Sequence, residues 1–322
     1  MKNLKKALAI GLTAASFLAA LSGCGSTKAY PNKQVNVIVH AAAGGGSDMA
    51  ARMVSSIMEE SLGVPFVVEN KTGASGSVAM QYVAASKADG YTIGTAPCEI
   101  SMVEPLGYST ITPDSVELLG LMQSWAAALT VPASAPYDTF DEFVEYAKAH
   151  PGELRGGNSG TGSIWHIAGC ILEDKCGVTF NHVPFDGASG AVTALLGGHC
   201  DFVTVSVNEV LTNVESGDLK VLAVMADERS PAQPDVPTTE ELGYDATAYA
   251  WVGLCAPKGL PQDVKDTLVS EIQKAVESDK FGDLCAERGT DRKYLSPDEF
   301  HAFATEQYEY YKGLIPGLGI TK

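Results

Sequence analysis

Three consecutive glycines, Gly44 to Gly46, lie between an apolar segment and a helix-like one, and no other feature constrains this chain as much. The apolar segment, Val35–Val39, is bounded by polar residues and rich in β-branched side chains, the pattern of a buried strand. Ser47 and Asp48 open the segment MAARMVSSIMEESLG, where Met49, Met53, Ile57 and Met58 fall at helical spacing. Ser47 is the expected N-cap. A strand, a loop without side chains and a helix N-terminus together make an anion site. Glycine lets a ligand approach the backbone N–H groups, and the helix end carries about half a positive charge. A tight strand-to-helix turn without ligand is the plainer reading of this stretch alone, but the chain builds the same junction twice more.

The second junction is Arg155–Ser163 (RGGNSGTGS), which reads as a glycine-rich loop feeding the helical IWHIAGCILEDKCG, with Ser163 or Thr161 as cap. The third is Pro184–Ser189 (PFDGAS), ahead of a helix over Gly190–Leu196. Around the first junction, strand patterns at PFVVEN (65–70) and YTIGTA (91–96) flank a helix over Gly76–Ser86. This βαβαβ rhythm points to a parallel, doubly wound sheet. Further strands are expected at Leu118–Leu121, Ala127–Val131, Thr179–Val183, Cys200–Val205, Leu219–Met225 and Tyr249–Ala256. Further helices are expected at Asp138–Ala149, Pro261–Ser278 and Pro297–Lys312, the last two packing back onto the first unit. The proline- and acid-rich stretch Glu228–Gly243 reads as a surface connection.

With 322 residues and 45% hydrophobic composition, the chain can fill two cores. Its first residues read as a secretory signal: three lysines within Met1–Lys6, then the apolar run Ala7–Ala20, too short to span a bilayer as a mature helix. Loss of Lys2, Lys5 and Lys6 with that segment takes the formal net charge from −17 to −20. So acidic a surface argues against nucleic-acid partners and against adhesion to anionic lipid through a basic patch. Six cysteines remain besides Cys24, with no CxxC pair and no zinc-like Cys/His spacing, so no metal is expected. Cys170 and Cys200 sit among apolar neighbours and read as buried thiols. Neither glycine run continues as a Walker loop or a GxGxxG fingerprint, so no nucleotide cofactor is expected.

Leu21-Ser22-Gly23-Cys24 resembles the lipobox of bacterial lipoproteins, which implies lipidation of Cys24. The chain as a whole resembles the extracytoplasmic receptors of tripartite tricarboxylate transporters, with matching segments in register from Tyr30-Pro31 onward. They are AAAGGGSDMAAR (41–52), VVENKTGASGS (67–77), DGYTIG (89–94), SGTGSIWHIAG (159–169), VPFDGASGAVTALLGGHCD (183–201) and WVGLCAPKGLP (251–261). The resemblance implies a type II periplasmic-binding-protein fold: two doubly wound α/β lobes joined by two crossovers, near Ala127–Pro132 and Ala246–Val252, with ligand between them. The implied organisation is a signal peptide over 1–23, a lipid-anchored tether over 24–33, one lobe from 34–129 plus 249–322 and the other from 130–248. It further implies a monomeric receptor, held to the extracytoplasmic membrane face through Cys24, that delivers a small organic di- or tricarboxylate to transporter membrane subunits.

Two loops clamp a carboxylated ligand in that family. Their counterparts are Ala42, Ala43, Gly44, Gly45, Gly46, Ser47 and Asp48 in one lobe, and Ser159, Gly160, Thr161, Gly162 and Ser163 in the other. His166 sits beside the clamp, and Phe185, Asp186 and Gly187 contribute from the second lobe. The backbone amides of Gly44, Gly45 and Gly46 are the expected carboxylate donors. Many relatives carry Tyr-Lys-Gly where this chain has Phe185-Asp186-Gly187, and proline or phenylalanine near His40. An acid at 186 repels a second carboxylate unless it caps a helix or meets an amine or hydroxyl. Trp125 and Trp165 could each floor the cleft or serve as core. Ser163 and His166 share a helix face, which leaves a secreted serine hydrolase as an alternative, although no GxSxG elbow exists. A ligand sensor for a sensor kinase is the other alternative; an enzyme is not expected.

Overall fold

A computed structural model describes residues 29–320; Cys24 and the expected signal segment lie outside them. The first unit begins with β1 (Val35–Val39), α1 (Gly46–Leu62), β2 (Phe66–Asn70), α2 (Ser77–Ala84) and β3 (Thr92–Pro97), the expected βαβαβ order. β1 pairs in parallel with β2 and β3. Val35, Val37, Ile38 and Val39 are all buried, because helices cover both faces of the sheet.

The long element is β4 (Glu117–Pro132), a single strand of 16 residues and about 50 Å where the sequence suggests two. Gln123 and Ser124 interrupt its apolar pattern, yet both are buried because the strand runs through the middle of the molecule. Its first half pairs antiparallel with β9 (Tyr249–Ala256), from Glu117↔Ala256 to Ala126↔Tyr249. Its second half pairs with β8 (Leu219–Met225), from Ala127↔Met225 to Pro132↔Leu219. The partner therefore changes between Ala126 and Ala127, and there the Ala127 N–H donates to the Ala248 carbonyl.

The second unit comprises α3 (Phe140–Ala149), β5 (Arg155–Asn158), α4 (Ile164–Cys176), β6 (Asn181–Pro184), α5 (Gly187–Leu196), β7 (Phe202–Val203), α6 (Val207–Glu215) and β8. β5 runs parallel to β6 and β7. The second glycine-rich stretch is thus not all loop. A Cβ on Gly156 would come within 2.6 Å of the Phe202 ring, and one on Gly157 within 2.8 Å of Cys200 Sγ. Those two glycines serve close strand packing, and only Ser159–Ser163 forms the loop. The expected strand over Cys200–Val205 shortens to two residues, and α6 follows it at once.

After β9 come α7 (Gln262–Glu277), α8 (Asp279–Arg288), β10 (Asp291–Leu295) and α9 (Pro297–Leu314). The sequence reading contained neither α8 nor β10. β10 joins β4 antiparallel, which returns the C-terminal region to the first unit as expected. One apolar cluster, including Val37, Val54, Ile93, Leu254 and Leu268, lies between the first sheet and α1 and α7. A larger one runs from Ile38, Met80 and Phe300 through Leu129 on β4 to Phe143, Ile167 and Leu195 in the second unit. Both units are doubly wound and share β4 and its neighbours, the architecture of a two-lobed type II binding protein. All six described cysteines are buried free thiols, Cys170 and Cys200 among them.

Candidate functional site

α1 begins at Gly46 with Gly45 as its cap residue, so Ser47 sits inside the first turn and is not the cap. Asp48 closes the loop in its place. Its carboxylate accepts from the Gly44 N–H (2.8 Å), Arg52 Nε (2.9 Å) and Asn70 Nδ2 (2.8 Å). Burial alone would push this carboxyl up; the hydrogen bonds from Arg52, Gly44 and Asn70 outweigh it and hold the group below its ordinary range. Gly44 has φ +82°, which turns its N–H back onto Asp48, and the Gly45 N–H donates to the Ala42 carbonyl. Two of the three expected donors are therefore engaged. The N–H groups of Gly46, Ser47 and Asp48 have no partner among the described residues, as the first turn of a helix dictates. The Ser47 hydroxyl has none either, although the residue is only 8% exposed.

At α4, Ser163 is the cap, accepting from the His166 N–H (3.3 Å) and from Ser159 Oγ (2.9 Å). Thr161 is exposed, and its carbonyl accepts from Tyr108 Oη (3.3 Å), a contact between the two units. His166 is buried, and its Nδ1 accepts from the Gly162 N–H (3.0 Å). Burial first, then the neighbouring His182, pushes its pKa down to about 4, which leaves the ring neutral. With Nδ1 so engaged and the ring edge-on to His182 (4.7 Å between centroids), no ring nitrogen is paired with the Ser163 hydroxyl. A general base for Ser163 is therefore not assembled. Donor atoms of His166, Cys170 and His182 do lie within 4.8 Å of one another. His182 Nε2 is 3.0 Å from Glu173 Oε2, and burial pushes the Cys170 thiol up to about 12, so these side chains form a hydrogen-bonded core behind the loop.

Two adjacent cavities lie where the units meet. The smaller, about 200 Å³, is lined by His40, Ser47, Glu99, Trp125, Ser159, Ile164, Trp165, Ala188 and Glu209, among others. The larger, about 670 Å³, is lined by Ala42, Gly44, Gly45, Gly46, Asp186, Gly187, Ala188, Glu209 and Arg288, among others. Of the expected site residues, Ala43, Asp48, Gly160, Thr161, Gly162, Ser163, His166 and Phe185 line neither. They shape the loops instead: the Phe185 carbonyl accepts from the Gly187 N–H, and the Phe185 ring lies beneath β5, near Gly157. Asp186 stands at the cap position of α5 but makes no side-chain cap bond. Both tryptophans weighed from sequence reach the smaller cavity.

Sequence reasoning missed Glu99 and Glu209. Glu209 closes a capping box with Ser206, accepting from its N–H (3.0 Å) and Oγ (2.6 Å), and the Trp165 side chain also hydrogen-bonds it. The pattern Ser-Val-Asn-Glu over 206–209 is a legible capping box, though nothing in it marks a cavity. Glu99 follows β3 in a 3₁₀ turn over Cys98–Ser101 and carries no sequence signal. Desolvation raises the half-buried Glu99 carboxyl above its ordinary range, and its own backbone N–H and the Cys98 thiol partly offset this, whereas Glu209 is exposed and its carboxylate is held by Ser206 and Trp165. His40, bound through Nδ1 to Thr95 Oγ1 (2.8 Å), is pushed down to about 4 by burial and is neutral.

Residues 50–320 match the family described as the tripartite tricarboxylate transporter family receptor. The chain is similar to the UPF0065 protein in the gbd 5'region of Cupriavidus necator, 32% identical over 318 residues, covering 96% of this chain and 95% of that one. Among solved structures it is similar to a TctC solute binding protein from Polaromonas, with 35% identity and TM-score 0.78 over 89% of this chain and 99% of that one. It is also similar to an R. palustris protein solved with adipate, with 26% identity and TM-score 0.79 over 89% of this chain and 97% of that one.

Proposed function

The chain belongs to the tripartite tricarboxylate transporter receptor family, and from that premise we propose that it captures a small organic carboxylate outside the cytoplasm and delivers it to transporter membrane subunits. The observation that carries this reading is the meeting of two helix N-termini at one cavity. Ser47, in the first turn of α1, and Ile164 and Trp165, which open α4, line the same 200 Å³ space. Helix N-termini with unfilled N–H groups on the wall of one space suit a carboxylate, whose charge-assisted hydrogen bonds contribute about 1.5–3 kcal/mol each. Adipate in a structural relative agrees with the class.

The mechanism is closure of two lobes, residues 34–129 plus 249–322 against 130–248, about the place where β4 exchanges β9 for β8. The protein is a receptor and not an enzyme, works as a monomer, and is tethered through a lipid on Cys24. A thermal melt against mono-, di- and tricarboxylates and aromatic acids tests the reading. A ligand at about one hundred times its Kd adds ~2.7 kcal/mol of stability and raises the melting temperature. No shift with any acid, in protein shown free of co-purified ligand, overturns it.

A further inference from the structure

Behind the Ser159–Ser163 loop, α4 carries His166, Cys170 and Glu173 at positions i, i+4 and i+7, so the three share one helix face. β6 brings His182 against that face, and Gly169 makes the close approach possible, since a Cβ there would lie 3.0 Å from His182 Cε1. One donor atom each from His166, Cys170 and His182 lies within 4.8 Å of the other two, and no other three such side chains converge in this way among the described residues. Cys170 Sγ is 3.9 Å and Glu173 Oε2 3.0 Å from His182 Nε2. The Phe180 N–H holds the other Glu173 oxygen in place. The ion-pair partner of Glu173 is His182, not a lysine or arginine. Around a tetrahedral ion with bonds of about 2.0–2.3 Å, ligand atoms stand about 3.3–3.6 Å apart, so small side-chain movements close this arrangement. Two imidazoles, a thiol and a carboxylate suit an ion of the zinc type, whereas calcium and magnesium take oxygen donors. His182 and Glu173 are about one fifth exposed, which gives an ion a way in.

We propose that His166, Cys170, His182 and Glu173 form a binding site for one zinc-type divalent ion, joining α4 to β6 behind the second loop. Binding breaks the Cys170 S–H bond, forms a metal–sulfur bond and releases the proton to solvent. It also costs the Gly162 N–H its acceptor: a metal on His166 Nδ1 takes that lone pair, and one on Nε2 moves the ring proton to Nδ1. The ion and the loop are thereby coupled. Sequence spacing did not mark the site, because the third of its nitrogen and sulfur ligands comes from a strand and not from the helix. The four side chains line neither cavity between the lobes, so the site stands or falls without the receptor reading.

The test titrates chelator-treated protein with Co²⁺ and then Zn²⁺, following absorption and the thermal melt. One equivalent of Co²⁺ is expected to give the near-ultraviolet band of a thiolate–cobalt bond and the visible bands of a tetrahedral ion, both erased by one equivalent of Zn²⁺. Zn²⁺ should also raise the melting temperature. Cys170→Ser, which nearly keeps the side-chain volume, is expected to abolish the near-ultraviolet band and weaken zinc binding about tenfold or more. His182→Ala should weaken it likewise, and the wild-type spectrum stands even where that variant folds poorly. His199→Ala removes an exposed histidine outside the cluster and should change nothing. Absence of both the thiolate–cobalt band and the stabilisation by Zn²⁺ overturns the proposal and leaves the four side chains as a hydrogen-bonded core. A band that survives Cys170→Ser, or zinc binding lost in His199→Ala, overturns the assignment to this cluster.

Discussion

At the scale of single residues, Asp48 shows how a helix-dipole residue becomes the keystone of a loop. It is 1% exposed and takes three hydrogen bonds, one from the loop it organises. Asp48→Asn swaps a charged acceptor for an amide that must present one N–H to existing donors. The expected loss is about 1–3 kcal/mol of stability, with weaker ligand binding because Gly44 is released. Its folded pKa lies below the unfolded value of about 3.9, so its stabilisation is fully present above that value and lost as pH falls through the folded one. Melts of both proteins between pH 7 and 3 should show the gap full near neutrality and closing below about pH 4. A gap independent of pH would mean the charge is immaterial.

At the scale of elements, the strand-loop-helix junctions were legible because glycine, cap residues and helical spacing are local signals. Which N–H groups stay open was not legible, since it depends on Asp48 and Ala42 claiming the first two. A Cβ on Gly44 meets nothing within 4 Å, so Gly44→Ala acts through its φ of +82° alone. The expected destabilisation is about 1–2 kcal/mol, together with a loss of affinity as the loop relaxes. Thr139 supplies the contrast. It caps α3 through the Glu142 N–H in a capping box and lines neither cavity. Thr139→Ala should lower stability by about 1 kcal/mol and leave ligand affinity unchanged in calorimetry. A change in affinity would tie α3 to lobe closure.

At the scale of the whole molecule, β4 binds the two units into one sheet system, and an apolar cluster is continuous through it. The lobe closure proposed above would therefore be a bend where the strand changes partner, not separation of independent bodies. Stability is expected to owe nothing to cross-links, since Cys98, Cys170, Cys176, Cys200, Cys255 and Cys285 are all buried free thiols. Melting curves with and without a reductant should coincide. A lower melting temperature under reduction would reveal a disulfide in the native protein.

The sequence alone determined the α/β class, the βαβαβ opening, a capped loop with Ser163 or Thr161 as its cap, and the family, because these rest on periodicity, on glycine and cap chemistry, and on ordered motifs. The tertiary structure decided what those local signals cannot carry. It made Leu118–Leu121 and Ala127–Val131 one strand, since burial from both sides satisfies the polar residues between them. It turned Gly156 and Gly157 into strand, since Phe202 and Cys200 leave no room for a side chain. And it brought Glu99 to Glu209 across 110 residues of chain, a meeting set by how two lobes pack and by no pattern at either position.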